Sequence, residues 1–213
     1  MMADHARTKL DARNCTLVVV DVQNDYCHPE GTLGRTGADI SGVDVVVSRI
    51  QQTIDAARAP SVPVVWVRTS RDQRHDSDAW RARHSLLLNP PQHDVEDAYC
   101  VTGTWGAEYY RLRPETNDVV VEKSRHSGFV GTDLEIILRT LARPSLIVAG
   151  VATNVCVEST VRDALYHEFH VSVIRDCCWS PSQAAHDASI SNVGLHLGLV
   201  VTSEQLLRAW RGE

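Results

Sequence analysis

One recurrence constrains this chain more than any other feature: short, continuously apolar, β-branched runs alternate with stretches of helical spacing. The first run is Thr16-Leu-Val-Val-Val-Asp21, and similar runs stand at 62–67, 118–122, 145–150, 170–174 and 199–201. A half-exposed strand alternates apolar with polar residues, whereas the first run does not, so it reads as a strand buried on both faces. Between them, Val43, Val46, Val47, Ile50, Ile54 and Ala57 line one face of a predicted helix over Val43–Arg58. Further helices are predicted over 132–141, 154–168, 182–197 and 203–210. In the first of these, Thr132 reads as an N-cap and Glu135 as its capping-box partner. Strands separated by helices pair in parallel through crossovers, which place helices on both faces of the sheet. An α/β fold with a central, mostly parallel, six-stranded sheet is therefore expected.

With 213 residues, 43% of them hydrophobic, the chain suits one compact domain over residues 1–213. Residues 1–13 read as a polar N-terminal tail without the apolar core of a signal peptide. The polar stretch 71–91 reads as an active-site lid. A formal charge of −6 and a pI near 5.9, with no long basic cluster, argue against nucleic acid and anionic membranes as partners. No apolar run approaches the ~18 residues of a membrane span. Six scattered cysteines without framework spacing read as reduced thiols of a cytoplasmic protein.

In open α/β sheets, ligands bind outside the carboxyl ends of the strands. Three chemically useful residues fall there: Asp21 after the first run, Lys123 after the third, and Cys156 where the loop after the fourth turns into a helix. Taken singly, each has a plain structural explanation. A cysteine on a helix is often a small buried hydrophobe, an aspartate after a strand a turn former, a lysine there a solvated cation. Taken together they form a chemical set. A helix start and a nearby lysine lower a thiol pKa, and an aspartate can take the thiol proton and return it to a departing amine. Cys177 and Cys178, after Asp176, read as packing residues. Arg68 and Arg71 are candidates for binding a substrate carboxylate.

The segments Val19-Val-Asp-Val-Gln-Asn-Asp25, Val121-Glu-Lys-Ser-Arg125 and Gly150-Val-Ala-Thr-Asn-Val-Cys-Val-Glu-Ser-Thr160 resemble the isochorismatase-like cysteine hydrolase family, over about residues 14–210. The resemblance implies a three-layer Rossmann-like fold. It implies Asp21 as general acid/base, Cys156 as nucleophile and Lys123 as the cation that stabilises the thiolate. It further implies a cis peptide between Val151 and Ala152, with the backbone N–H groups of Ala152 and Cys156 forming an oxyanion hole. The activity implied is hydrolysis of a C–N amide or ureido bond through a thioester. Alternatives within the family are an isochorismatase-type vinyl ether hydrolase, whose members usually lack the cysteine, and a nicotinamidase-like carboxamide hydrolase. Nicotinamidases carry a metal motif, Asp-x-His, which is absent from Arg71-Asp-Gln-Arg-His75; His75 and His84 read as lid residues, so no metal and no cofactor are expected. The run from Ala152 to Asp163, with Arg125-His-Ser-Gly-Phe129, is most similar to ureidoacrylate amidohydrolases, and comparison with them suggests Tyr26, Thr69, Trp105 and His126 as substrate-binding residues. Relatives commonly form dimers or tetramers, so a homo-oligomer is expected.

Overall fold

The computed structural model describes residues 8–82 and 99–213. Six strands form one sheet: β1 Cys15–Val20, β2 Val64–Thr69, β3 Val119–Lys123, β4 Ser145–Val151, β5 His170–Trp179 and β6 Leu199–Val201. Their order is β3-β2-β1-β4-β5-β6 and every pairing is parallel. The principal helices are α1 Val43–Arg58, α2 Leu134–Thr140, α3 Glu158–Tyr166, α4 Gln183–Asn192 and α5 Ser203–Arg211.

Alternation along β1 builds two cores, one on each face of the sheet. Cys15, Leu17 and Val19 pack in the core that holds Val46, Ile50 and Ile54 of α1 and Leu206 of α5. Val18 and Val20 point the other way, into the core with Leu134 and Leu138 of α2 and Val161 and Ala164 of α3. All six β1 residues are buried, which is why the run shows no polar alternation. Each fully buried Val or Leu contributes about 1.5–3 kcal/mol of hydrophobic stabilisation. At one edge of the sheet, the guanidinium of Arg58 and the indole Nε1 of Trp66 both donate to Asp118, so this acid precedes β3 as an anchor and is not part of the strand.

Three sequence expectations change. β2 starts and ends two residues later than expected, which makes Thr69 a strand residue. The fifth strand does not stop at Ile174: β5 runs on to Trp179, with an irregular register against β4 between Val148 and Gly150. Asp176 therefore lies within β5, where its carboxylate accepts from the backbone N and hydroxyl of Ser203 at the start of α5. The capping box at Thr132 and Glu135 does not form. The Thr132 hydroxyl donates to the Gly128 carbonyl, Glu135 pairs with Arg139 and His167, and α2 begins later, at Leu134. A capping box does form on α5, between Thr202 and Gln205.

The chain steps outward from β1 through β2 to β3, then returns to place β4 on the other side of β1. This reversal creates a crevice at the carboxyl ends of β1 and β4, the place where doubly wound sheets bind ligands. Gly150 makes the crossing of these two strands tight. Its φ is +133° and a Cβ there would lie 2.0 Å from the carbonyl oxygen of Val20. We expect Gly150→Ala to destabilise the fold by at least about 2–3 kcal/mol, the combined effect of a backbone clash and an unfavourable φ. Urea unfolding reads this directly; an unchanged midpoint would contradict the packing described.

Candidate active site

The crevice gathers three buried groups from three strand ends. Asp21 follows β1 in a left-handed turn, with φ of 51°. Lys123 is the last residue of β3 and Cys156 lies in a π-helical turn, Thr153–Val157, that leads into α3. Lys123 Nζ stands 2.7 Å from Asp21 Oδ2 and 3.5 Å from Cys156 Sγ. It also donates to Thr69 Oγ1 at 2.9 Å and to the Arg125 carbonyl at 3.1 Å. Relative exposures of 1% for Asp21, 2% for Lys123 and 6% for Cys156 leave only the sulfur near an opening.

Local hydrogen bonds fix each member. Gln23, two residues after Asp21, spans to β2: its Oε1 accepts from Thr69 N and its Nε2 donates to the Thr69 carbonyl, both at 2.8 Å. The same Nε2 donates to the Ala107 carbonyl. The turn carrying Cys156 is braced from two sides. The Thr160 hydroxyl donates to the Cys156 carbonyl at 2.7 Å and accepts from Gly128 N at 3.0 Å. Glu158 takes hydrogen bonds from Arg162 on its own helix and from Ser189 and Asn192 on α4. The peptide between Val151 and Ala152 is cis.

Burial pushes the Cys156 thiol pKa well up, the neighbouring Asp21 carboxylate pushes it further, and the Lys123 ammonium pulls it down without offsetting them. Lys123 acts in the direction expected of a nearby lysine, but burial and Asp21 outweigh it. For Lys123, burial opposes the charge, but the anion of Asp21 and the adjacent sulfur outweigh it, so its pKa is raised. Both directions favour a protonated thiol and a charged ammonium beside Asp21.

Cys156 opens into a cavity of about 250 Å³, also lined by Tyr26, Thr69, His126 and Ala152. Trp105 does not line it among the described residues; its ring is half-exposed and sits edge-on to His28. Arg71 reaches the cavity and pairs with buried Asp76, whereas Arg68 pairs with Glu122 on the outside. Sequence reasoning assigned no role to Arg125 and Trp80, although both line the cavity. The Arg125 guanidinium stacks 4.3 Å from the Trp80 ring and bonds Asp76 and the His75 carbonyl, so it ties residues 75–80 to the end of β3. The sequence signals for Arg125 were its place two residues beyond Lys123 and at the head of the Arg125–Phe129 motif. Among the described residues, no three His, Cys, Asp or Glu side chains cluster as metal ligands. His84 and the lid from residue 83 onward to 91 lie outside the described residues.

Fold and site together define a parallel-sheet α/β protein with a buried Asp–Lys–Cys cluster at its switch point. The isochorismatase domain model matches residues 15–205, and the chain belongs to that family. A ureidoacrylate amidohydrolase RutB of Methylobacterium radiotolerans is 35% identical over 90% of this chain and 77% of the relative. Another, from Azorhizobium caulinodans, is 34% identical over 91% and 89%. A cysteine hydrolase from Pseudomonas syringae superposes with a TM-score of 0.80 at 28% identity, covering 96% of this chain and 95% of that one. The nicotinamidase PncA of Bacillus subtilis shares the fold, with a TM-score of 0.70 at 24% identity over 88% of this chain and 99% of the other.

Two outcomes follow from the electrostatics. Alkylation of Cys156 by iodoacetamide is expected to be slow at neutral pH and still climbing above about pH 9, past the ordinary cysteine range; a rate already level at neutral pH would contradict the raised thiol pKa. Lys123→Met is expected to cost about 3–5 kcal/mol, because it strands the Asp21 charge. Adding Asp21→Asn should restore part of that loss, a coupling that chemical denaturation of the four proteins of the cycle measures.

Proposed function

We propose that this protein is a cysteine amidohydrolase that cleaves a C–N bond of a small carboxamide or ureido substrate. The observation that carries the reading is the position of Lys123 Nζ, in contact with both the carboxylate of Asp21 and the sulfur of Cys156 inside a ligand-sized cavity.

The chemistry follows from moving one proton. As the substrate carbonyl approaches Cys156, Asp21 takes the thiol proton and the sulfur attacks the carbonyl carbon. The exchange turns carboxylate and thiol into carboxylic acid and thiolate, so the buried site keeps the same net charge with the ammonium beside both. The oxygen of the tetrahedral intermediate is received by the backbone N–H groups of Ala152 and Cys156, which act as an oxyanion hole. Asp21 then gives its proton to the leaving nitrogen, the C–N bond breaks, and ammonia or an amine departs from a thioester. Asp21, again a carboxylate, accepts a proton from water as the water attacks the thioester carbonyl. Collapse of that second intermediate releases the acid product, and Asp21 returns its proton to the departing sulfur, which restores the thiol and the carboxylate.

The relatives named as ureidoacrylate amidohydrolases favour a ureido acid as substrate. Tyr26, Thr69 and His126 wall the cavity beside the sulfur, and Arg71 and Arg125, both paired with Asp76, also line it and favour a carboxylate. Trp105 has no part in this pocket. A cytoplasmic setting is supported by six cysteines that are all buried and unbridged. Among the described residues no helix is long and apolar enough to cross a membrane. The proposal extends to a homo-oligomer, a dimer or tetramer, on the family resemblance.

Ammonia release from a panel of ureido acids and carboxamides tests the reading. Activity should fall by at least about 10³-fold in Cys156→Ala and after alkylation, since the nucleophile forms the intermediate. Full activity in either case would overturn the thioester route. Loss of activity to EDTA with recovery on adding zinc would overturn a metal-independent reaction.

A further inference from the structure

Thr69 sits in the middle of the ion pair. Its Oγ1 lies 2.9 Å from Lys123 Nζ and 3.0 Å from Asp21 Oδ1, and the Tyr26 phenol is also within hydrogen-bonding reach of it. An ammonium can only donate and a carboxylate can only accept, whereas a phenol can do either. The Thr69 hydroxyl donates to Asp21 while its lone pairs face Lys123. Asp21 is thus held at both oxygens, by Thr69 at Oδ1 and by Lys123 at Oδ2. The oxygen cannot drift, because Thr69 is 5% exposed, is paired in register with Lys123, and has its backbone N–H and carbonyl both clamped by Gln23.

We infer that Thr69 is a positioning residue that tunes the acid–base pair of the reaction: by donating to Asp21 and accepting from Lys123 it favours the charged form of both partners. A hydrogen bond to an ionised group stabilises that form. Thr69 also lines the cavity, so the group that tunes the base lies against the substrate. The inference rests on the Asp21–Lys123–Cys156 reading and adds a residue that touches two of its members.

The surroundings make the effect readable. Besides Lys123, the titratable groups acting on or felt by Asp21 are the thiols of Cys156, Cys27 and Cys100 and the phenols of Tyr26 and Tyr109. Burial pushes every one of these thiols and phenols up, which keeps them uncharged through the neutral range. Lys123 is the cation among them. The basic limb of a pH–rate profile then follows loss of the proton shared by ammonium and thiol.

The test is the pH dependence of kcat/KM for ammonia release in wild type, Thr69→Val and Thr69→Ser. Valine keeps the shape and deletes the hydroxyl; serine keeps the hydroxyl and deletes a methyl group. In Thr69→Val the basic limb should move down by about one pH unit, the size of one lost charge-assisted hydrogen bond. Thr69→Ser should restore it. A residue that merely packs would lower the rate without narrowing the profile. Should Thr69→Val not fold, Thr69→Ala, which adds no bulk, gives the same comparison. A basic limb unchanged in the hydroxyl-free variant, or not restored by serine, would overturn the inference. Wild-type activity that survives Cys156→Ala would instead overturn the underlying reading, so the two failures are distinct.

Discussion

A carboxylate and an ammonium locked together under a thiol govern the rest of this structure. Taking either ion out of water alone costs several kcal/mol, and their mutual attraction recovers that cost only when geometry is tight and the remaining donors and acceptors are satisfied. Here Lys123 finds Asp21, Thr69, the Arg125 carbonyl and Cys156, while Asp21 finds Lys123 and Thr69. The pair also makes the thiol usable. Burial and the nearby anion oppose an isolated thiolate, but transferring the thiol proton to Asp21 leaves the site's total charge unchanged. In the proposed chemistry the activation step is an internal proton shift beside the Lys123 cation.

The fold supplies this arrangement through topology. Because β1 is central and the strand order reverses around it, the ends of β1, β2, β3 and β4 converge on one crevice. Gln23 couples the loop after β1 to the last residue of β2, and Lys123 couples β3 to both. The nucleophile comes from the opposite side of the switch point, on a turn braced by Thr160 beneath and by the contacts of Glu158 with α4. Catalytic geometry of this kind depends on such supporting contacts as much as on the reacting groups.

The sheet was legible where burial is symmetrical. β1 and β4 are covered on both faces, so their residues form unbroken apolar runs. The long β5 was not legible beyond Ile174, because Arg175 and Asp176 look like a strand end. Asp176 is tolerated inside the strand only because the start of α5, distant in sequence, supplies its donors. The false capping box failed for a similar reason: a local motif at Thr132 lost to the Gly128 carbonyl. Among site residues, Asp21, Lys123 and Cys156 could be placed at strand ends by counting along the chain. The direction of the thiol pKa could not, since desolvation depends on everything packed around it. Thr69 was marked as a pocket residue, but its place between two ions rests on the β2–β3 register. Trp105 was placed in the pocket from a motif comparison and lies outside it, while Trp80 and Arg125 meet only through folding of residues 75–80 over the end of β3.

The central claim is that Cys156 becomes covalently acylated during turnover. Rapid-quench mass spectrometry of the intact protein, mixed with a ureido acid or carboxamide that it hydrolyses, measures this most directly. The account predicts a transient adduct with the mass of the acyl or carbamoyl fragment, mapped by proteolysis to the peptide containing Cys156 and absent from Cys156→Ala. Turnover with no adduct at any time, together with incorporation of solvent oxygen into the product by a Cys156→Ala enzyme of undiminished rate, would contradict it.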